Sequence, residues 1–498
     1  MSGFRTLHRI TNDEGGGSSS SSEESPIWKV QFSPCRSSSS SLRLLAAGAS
    51  NNIKCYSLTD RTDKDVNSND VLDASAMNVS CTERLISRDD HHQANNSTSN
   101  NTAVLGYAAL DIVRNYCGAD DTAGNEVVMA SKLGGHVCVW VRLDPVLKEK
   151  GVVVSEDIDN DGDENNSSGA ETSSTIQQYR KPYAEFKVPT ATGTTLAIRP
   201  PTLGNYYSKK ETDILVAMGC ANGAVVICKS GILASRQGDN GITRSASSSG
   251  GGGGAVVGDT GGDDTVVMNI TSFNNKEDDS NNNNSTPPGD IIATVGGGHA
   301  CVMSLAWHPK IPNTFVVGRK DGIVDIYSGH STSDDYYYGN EGLNFRRVHR
   351  LIHSSFPIRA LSYSMPDGEL LFAGDDDGKL YSYDASMALP GSENSDNFRV
   401  ASPVKLVACA IAAHKGWIMN LCAFPDGNRV ATCGSDRSVR VWDCGMGLAS
   451  GTPVHSFEGA NEGWVWGVDC SSGAVGSAKL KLVSCGNDGT MQTFSCSE

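Results

Sequence analysis

Residues 417–443, WIMNLCAFPDGNRVATCGSDRSVRVWD, constrain the fold of this chain more than any other stretch. An apolar run leads into a Pro-Asp-Gly turn, a second run ends in Gly-Ser-Asp, and a third ends in Trp-Asp. Asp426-Gly427 is a hairpin signal. Val430 and Ala431 suit a second strand, and Val439, Val441 and Trp442 a third. Runs this short and this apolar describe a sheet covered on both faces. His414 lies just upstream. With Thr432, Asp436 and Trp442 it supplies four groups for one buried chain of hydrogen bonds, in which the carboxylate accepts from the imidazole, the imidazole meets the hydroxyl, and the hydroxyl meets the indole. Buried polar groups must be paired, so such residues come as a set. A generic hairpin with a chance Trp-Asp leaves the set unexplained.

The pattern resembles a WD repeat, whose structural unit is the four-stranded blade of a β-propeller. Strand–hairpin–strand patterns recur at approximately 27–57, 104–143, 194–229, 301–328, 357–384, 414–443 and 464–496. The expectation is therefore an all-β, seven-bladed propeller, formed as one domain over residues 1–498. An Asp precedes the closing aromatic of a blade at Asp321, Asp377, Asp436 and Asp488; Ser50, Gly134 and Asn222 stand there in the first three blades. The last blade has three strands before the sequence ends. Residues 4–10, FRTLHRI, alternate as a strand and are expected to supply its fourth, clasping the ring and covering an open sheet edge.

Low-complexity tracts rich in Ser, Asn, Gly and acidic residues occupy 58–80, 88–102, 145–180, 230–289, 329–344 and 387–400. Such tracts supply little apolar surface and read as disordered loops. All but 88–102 follow a third strand, and smaller insertions at 37–41 and 203–212 lie in first hairpins. Both hairpin types leave a propeller on one face, so the other face is expected to be the binding surface. The tracts also carry much of the net charge of −16. That balance gives no reason to expect direct nucleic-acid binding.

Several chemistries are set aside. The chain has 15 cysteines but no CxxC pair, so neither a zinc site nor a cofactor is expected. Cys55, Cys138, Cys228 and Cys433 fall in strands and read as small hydrophobes of an intracellular protein. No signal peptide and no run of 18 apolar residues is seen, so neither secretion nor a membrane span is expected. Without secretion the Asn78 and Asn96 glycosylation patterns carry no meaning. Asp157–Gly162 matches the first half of a calcium loop, but position twelve is Ser168 rather than Glu. Gly250–Gly254 lacks the Lys-Ser/Thr of a phosphate loop, His91-His92 has no further ligands, and no Gly-x-Ser-x-Gly elbow is present. No catalytic residue and no small-molecule substrate are expected.

The residues at the blade entrances are more informative. Trp417 and Trp464 hold equivalent positions at the start of a first strand. Trp28, Met303, Arg359, Met419 and Trp466 hold the position two residues later, where side chains open around the central channel. Aromatics, Met and Arg are the types enriched where proteins bind one another. The competing reading is packing between blades.

The C-terminal half resembles one family more closely. Residues 355–361 (SFPIRAL) with 376–381 (DDGKLY), 414–420 (HKGWIMN) with 435–443 (SDRSVRVWD), 463–468 (GWVWGV), and 27–30 (IWKV) are similar to successive blades of the WD-repeat subunit of the superkiller (Ski) complex. That resemblance covers about 290–498 well and 1–230 thinly. It implies a non-enzymatic scaffold, cytoplasmic and nuclear. Its implied partners are a tetratricopeptide scaffold and an RNA helicase that feed RNA to the exosome, or the subunits of the polymerase-associated-factor (Paf) elongation complex. It also implies that one propeller face binds short segments with an apolar or aromatic anchor, a role that falls here to Trp28, Trp417, Met419, Trp464 and Trp466. The residues alone leave other WD-repeat adaptors open: a ubiquitin-ligase substrate receptor, or a G-protein β-like scaffold.

Overall fold

The computed structural model describes residues 4–11, 25–34, 41–60, 77–87, 106–116, 124–143, 178–200, 212–234, 288–298, 300–311, 313–331, 343–386, 404–471 and 481–496. These residues form seven sheets, antiparallel throughout except for one added strand in the first. Blade 1 takes its four strands from Ile27–Phe32, Ser41–Gly48, Asn52–Asp60 and Met77–Ile86. Blade 2 takes Tyr107–Tyr116, Gly124–Lys132, His136–Leu143 and Ala184–Lys187; blade 3 takes Ala191–Ile198, Thr212–Cys220, Ala224–Ala234 and Ile291–Gly296. Blade 4 comprises Val302–Trp307, Thr314–Arg319, Val324–Ser331 and Leu343–Leu351; blade 5 comprises Ile358–Tyr363, Leu370–Asp375, Leu380–Asp384 and Lys405–Ala410. Blade 6 is built from Ile418–Ala423, Arg429–Gly434, Val439–Asp443 and His455–Phe457. Blade 7 has Val465–Cys470, Lys481–Gly486 and Thr490–Cys496, and its outer strand is Phe4–Thr11.

The core of this protein is not one mass but seven. Alternation along a strand sends successive side chains to opposite faces. In blade 4, Val316 packs towards blade 5 while Val317 packs towards blade 3. Every joint between neighbouring blades carries its own apolar cluster, from blades 1 and 2 round to blades 7 and 1. This explains why the second strands read as unbroken apolar runs: both of their faces are covered. The first strands of successive blades touch one another all the way round and so line a central channel.

Closure is a main-chain event. Phe4–Thr11 runs antiparallel to Thr490–Cys496, with Phe4 opposite Cys496 and Thr11 opposite Thr490. Ile10 is buried in the cluster that joins blades 7 and 1, with Ile27, Val30 and Met491. Arg9 pairs with Glu462 at 3.0 Å, tying the strand to the entrance of the same blade.

The edges of the low-complexity tracts differ from expectation. The third strand of blade 1 runs to Asp60 and its outer strand starts at Met77, both inside 58–80. The third strand of blade 3 also reaches into 230–289, ending at Ala234, and in blade 4 the third strand ends at Ser331 and the outer strand begins at Leu343, both inside 329–344. The cause is continued pairing: Ser331 faces Leu343 and Asp60 faces Met77, so these hairpins extend past the blade body. Within 145–180, Gln178–Arg180 forms a fifth strand, parallel to the outer strand of blade 1, where Arg180 meets Glu83 at 3.5 Å. The tracts 88–102 and 387–400 lie outside the described residues. So do His91-His92, Asn96, Asp157–Gly162, Ser168 and Gly250–Gly254.

If the outer strand of blade 7 holds the ring shut, deleting residues 1–11 unfolds more than a tail. The truncated chain is expected to lose several degrees from its thermal midpoint. An unchanged calorimetric transition removes this account of closure.

Candidate functional site

Six of the seven blades, all but blade 3, start with the same local device. Ile27, Val302, Ile358, Ile418 and Val465 pair with the second strand and are buried. The register then slips by one residue, so the next side chain has no partner of its own. Such a bulge twists a strand and re-aims the extra residue. The extra residues are Trp28, Met303, Arg359, Met419 and Trp466. The five positions share a backbone irregularity as well as a place in the repeat.

Three of these blades build a continuous surface. The Arg359 guanidinium lies 4.6 Å from the ring centre of Trp417. Its Nη2 donates to Asp376 Oδ2 at 2.9 Å, which fixes the plane that faces the indole. Trp417 meets Trp464 edge to face at 5.4 Å, and Trp464 meets Trp466 at 5.8 Å. Trp417 is 37% exposed and Trp464 43%. Both are held from behind through their main chain: Trp417 N donates to Ser435 Oγ and Trp464 O accepts from Asn487 N, each at 2.9 Å. Trp466 Nε1 points to Asn487 Oδ1 at 3.4 Å. The row therefore runs Arg359–Trp417–Trp464–Trp466 across blades 5, 6 and 7.

Trp28 and Met303 are half-buried at the same bulge position on blades 1 and 4, flanking this row. Met419 is corrected: it is 7% exposed and belongs to the core between blades 6 and 7, which Trp466 also covers. A flexible thioether at that bulge fills a gap beneath larger rings. Phe356, which sequence reasoning passed over, is 43% exposed three residues before Arg359. Its position in a connection rather than a strand left no periodic signal.

Behind the row, the polar set of blade 6 is closed. His414 Nδ1 lies 2.9 Å from Asp436 Oδ1 and Nε2 lies 2.8 Å from Thr432 Oγ1; Trp442 Nε1 donates to Thr432 Oγ1 at 2.9 Å. A proton on Nδ1 gives every member a partner. Gly434 is obligatory here, because a Cβ on it would fall 2.6 Å from His414 Nδ1. Burial pushes the His414 pKa down. Burial also opposes the charge on Asp436, but hydrogen bonds from His414, Lys415 N and Ser438 outweigh it and hold the carboxyl below its ordinary range.

The neighbouring blades meet the same need with other residues. In blade 7, Asn461 replaces the histidine: its Oδ1 accepts from Ser484 at 3.2 Å and its Nδ2 donates to Asp488 Oδ1 at 3.3 Å. In blade 5 the buried acceptor is Asp375, which takes Ser354 Oγ at 2.7 Å and Tyr381 OH at 3.0 Å. Asp377 instead pairs with Lys379 on the surface at 2.8 Å. In blade 4, Arg319 and Asp325 are fully buried and paired at 2.9 Å, with Arg350 on the second carboxylate oxygen at 2.8 Å. Asp321 remains exposed and caps its turn through Ile323 N.

Comparison with known proteins gives two findings. The family described as "WD domain, G-beta repeat" matches residues 345–384 and 405–443. Each match begins in the outer strand of one blade and ends in the third strand of the next. The repeat in sequence thus spans a joint in space, and these two units are WD40 repeats. The chain is also similar to "Actin-interacting protein 1" of Drosophila melanogaster, 27% identical over 152 residues. That match covers 30% of this chain and 20% of the relative. Among the described residues no helix is long and apolar enough to cross a membrane.

The histidine-centred set makes stability depend on pH. Both His414 and Asp436 hold protons less tightly when folded, so the unfolded chain takes them up first. The His414 contribution is complete above the ordinary histidine value of about 6.5 and is lost as pH falls below it, whereas that of Asp436 is lost only below the ordinary carboxylate value of about 3.9. The His414 contribution, read as the difference in urea midpoint between the wild type and His414→Asn, which copies Asn461, should therefore shrink between about pH 7 and about pH 5. His414→Ala should cost about 2–3 kcal/mol at neutral pH, because Thr432 and Asp436 lose a buried partner. A wild-type-minus-variant difference that is the same at both pH values contradicts this assignment.

Proposed function

We propose that this chain is a non-catalytic adaptor that captures short partner segments on the Arg359–Trp417–Trp464–Trp466 row. WD40 propellers are general scaffolds for protein interaction, and the row supplies a site in that scaffold. Its rings are rigid, partly exposed and braced by main-chain hydrogen bonds, so little side-chain freedom is lost on binding. The observation that carries the reading is the unbroken run of ring contacts across three blades. An aromatic surface with one engaged guanidinium suits a segment with an apolar anchor and a nearby acceptor. Trp28 and Met303 extend the row on either side.

The finer reading is that the chain serves as the WD-repeat subunit of a superkiller-type complex, with a tetratricopeptide scaffold and an RNA helicase, or of the Paf elongation complex. What supports it is the ordered series of segments from 355–361 to 463–468. A second reading, actin binding, is favoured by the match to the Drosophila protein, whose name states that interaction.

Trp417→Glu combined with Trp464→Glu should abolish partner capture and leave the thermal midpoint nearly unchanged, since both side chains are more than a third exposed. Tagged wild-type and double-variant chains, used as bait in native extract, give the comparison. Helicase and tetratricopeptide proteins retained only by the wild type favour the superkiller reading, elongation-complex subunits its nuclear arm, and actin the second reading. Equal capture by both baits moves the binding site elsewhere, and an unfolded variant returns these tryptophans to the core.

A further inference from the structure

At the far end of the same first strands, blades 6 and 7 bring together three groups that the partner surface does not use. Cys422 Sγ, Cys470 Sγ and a carboxylate oxygen of Asp469 all lie within 4.8 Å of one another. We propose that they form a site for one soft divalent cation of the zinc class, bound by two thiolates and one carboxylate, with water from the channel in the fourth position.

The donor set selects the ion. Two thiolates favour zinc over the hard cations that oxygen cages bind, and three protein ligands plus water is an established coordination for it. In a tetrahedral zinc site, ligand atoms lie roughly 3.3–3.8 Å apart. Rotation of the thiols supplies the contraction required. One of the ligands is already oriented by an outer contact, as metal ligands generally are. Asp469 Oδ2 accepts from Phe32 N at 2.6 Å. Cys470 Sγ donates to the carbonyl oxygen of Ala423 at 3.2 Å, on the strand that carries Cys422, and gives up that bond when the thiol ionises and turns to the cation.

The surroundings leave the triad short of positive charge. Asp469 faces the amides of Phe32 and Cys470 and, at longer range, the carboxylate of Asp111. Cys470 faces Cys422, Asp469, Asp426 and Arg429, and Arg429 is already paired with Asp426. Binding releases a proton from each thiol to solvent, and from the Asp469 carboxyl wherever burial has kept it protonated, leaving two thiolates and one carboxylate on the cation. Cys470 and Asp469 are partly buried rather than sealed in the core. Once bound, the ion links the first strands of blades 6 and 7, and through the Asp469–Phe32 hydrogen bond it reaches blade 1.

The test uses the full-length chain under a phosphine reductant, titrated with cobalt(II) as a spectroscopic substitute for zinc. One equivalent is expected to give thiolate-to-cobalt charge-transfer absorption with the intense visible bands of a tetrahedral ion. Zinc should bleach both and raise the thermal midpoint. The Cys422→Ser/Cys470→Ser variant should lose that equivalent, and Asp469→Asn should weaken it tenfold or more. No charge-transfer band in the wild type overturns the proposal, as does the same spectrum and stoichiometry in the double serine variant. A second measurement is independent of how the variants fold. In the wild type, zinc should slow alkylation of Cys422 and Cys470, mapped by mass spectrometry, and equal rates with and without zinc also overturn it.

Discussion

The antiparallel pairing of Phe4–Thr11 with Thr490–Cys496 is the interaction on which the rest of this structure depends. No blade can cover both of its own faces, so each apolar cluster exists only while two neighbours stand together. Six of the seven joints unite blades that follow one another along the chain. The joint between blades 7 and 1 has to unite the two ends, and it is sealed partly by Ile10. Blade 7 also carries Trp464, Trp466, Asp469 and Cys470. Closure therefore supports the aromatic row and the thiol–carboxylate triad as well as stability.

Within that frame, one residue of slippage at the start of six blades does most of the positioning. The residue before the bulge stays in the core and the bulge residue is released from the ladder. What it does next depends on its neighbour. On blade 5 the bulge residue Arg359 reaches across to Trp417; on blade 7, Trp466 continues the row. On blade 6, Met419 has the same backbone position but lies under that row. Equivalent positions thus divide into surface and core according to the size of the rings on the adjoining blade.

This division marks how far the sequence could be read. Seven blades, the closing strand and the row of large residues follow from strand patterning, hairpin signals and spacing, all of which are local. The His414–Thr432–Asp436–Trp442 set is legible because all four letters are present. Blades 4, 5 and 7 satisfy the same demand for buried pairing with Arg319–Asp325, Ser354–Asp375–Tyr381 and Asn461–Asp488. In blades 4 and 5 the acceptor sits at a different position, so counting back from the closing aromatic led to Asp321 and Asp377, which face solvent. Strand extensions at Asp60 and Ser331, and the docking of Gln178–Arg180, depend on main-chain pairing, to which composition is blind. Met419 was misplaced because its cover comes from another blade.

Cys422 and Cys470 show the same limit in a sharper form. Metal ligands are sought in sequence as closely spaced pairs, because a turn can hold two such thiols together. A propeller supplies another route: neighbouring first strands lie side by side, so residues a whole repeat apart become neighbours. Cys422 and Asp469 are equivalent positions on blades 6 and 7, and Cys470 is the next residue. The five steps from Trp417 to Cys422 span about 17 Å of extended strand. The aromatic row and the triad therefore sit at opposite ends of the same strands, beyond the range at which exposed charges interact strongly at physiological salt. What links them is the strands' packing alone, so a partner on one face and an ion near the other would act as separate loads on one rigid ring.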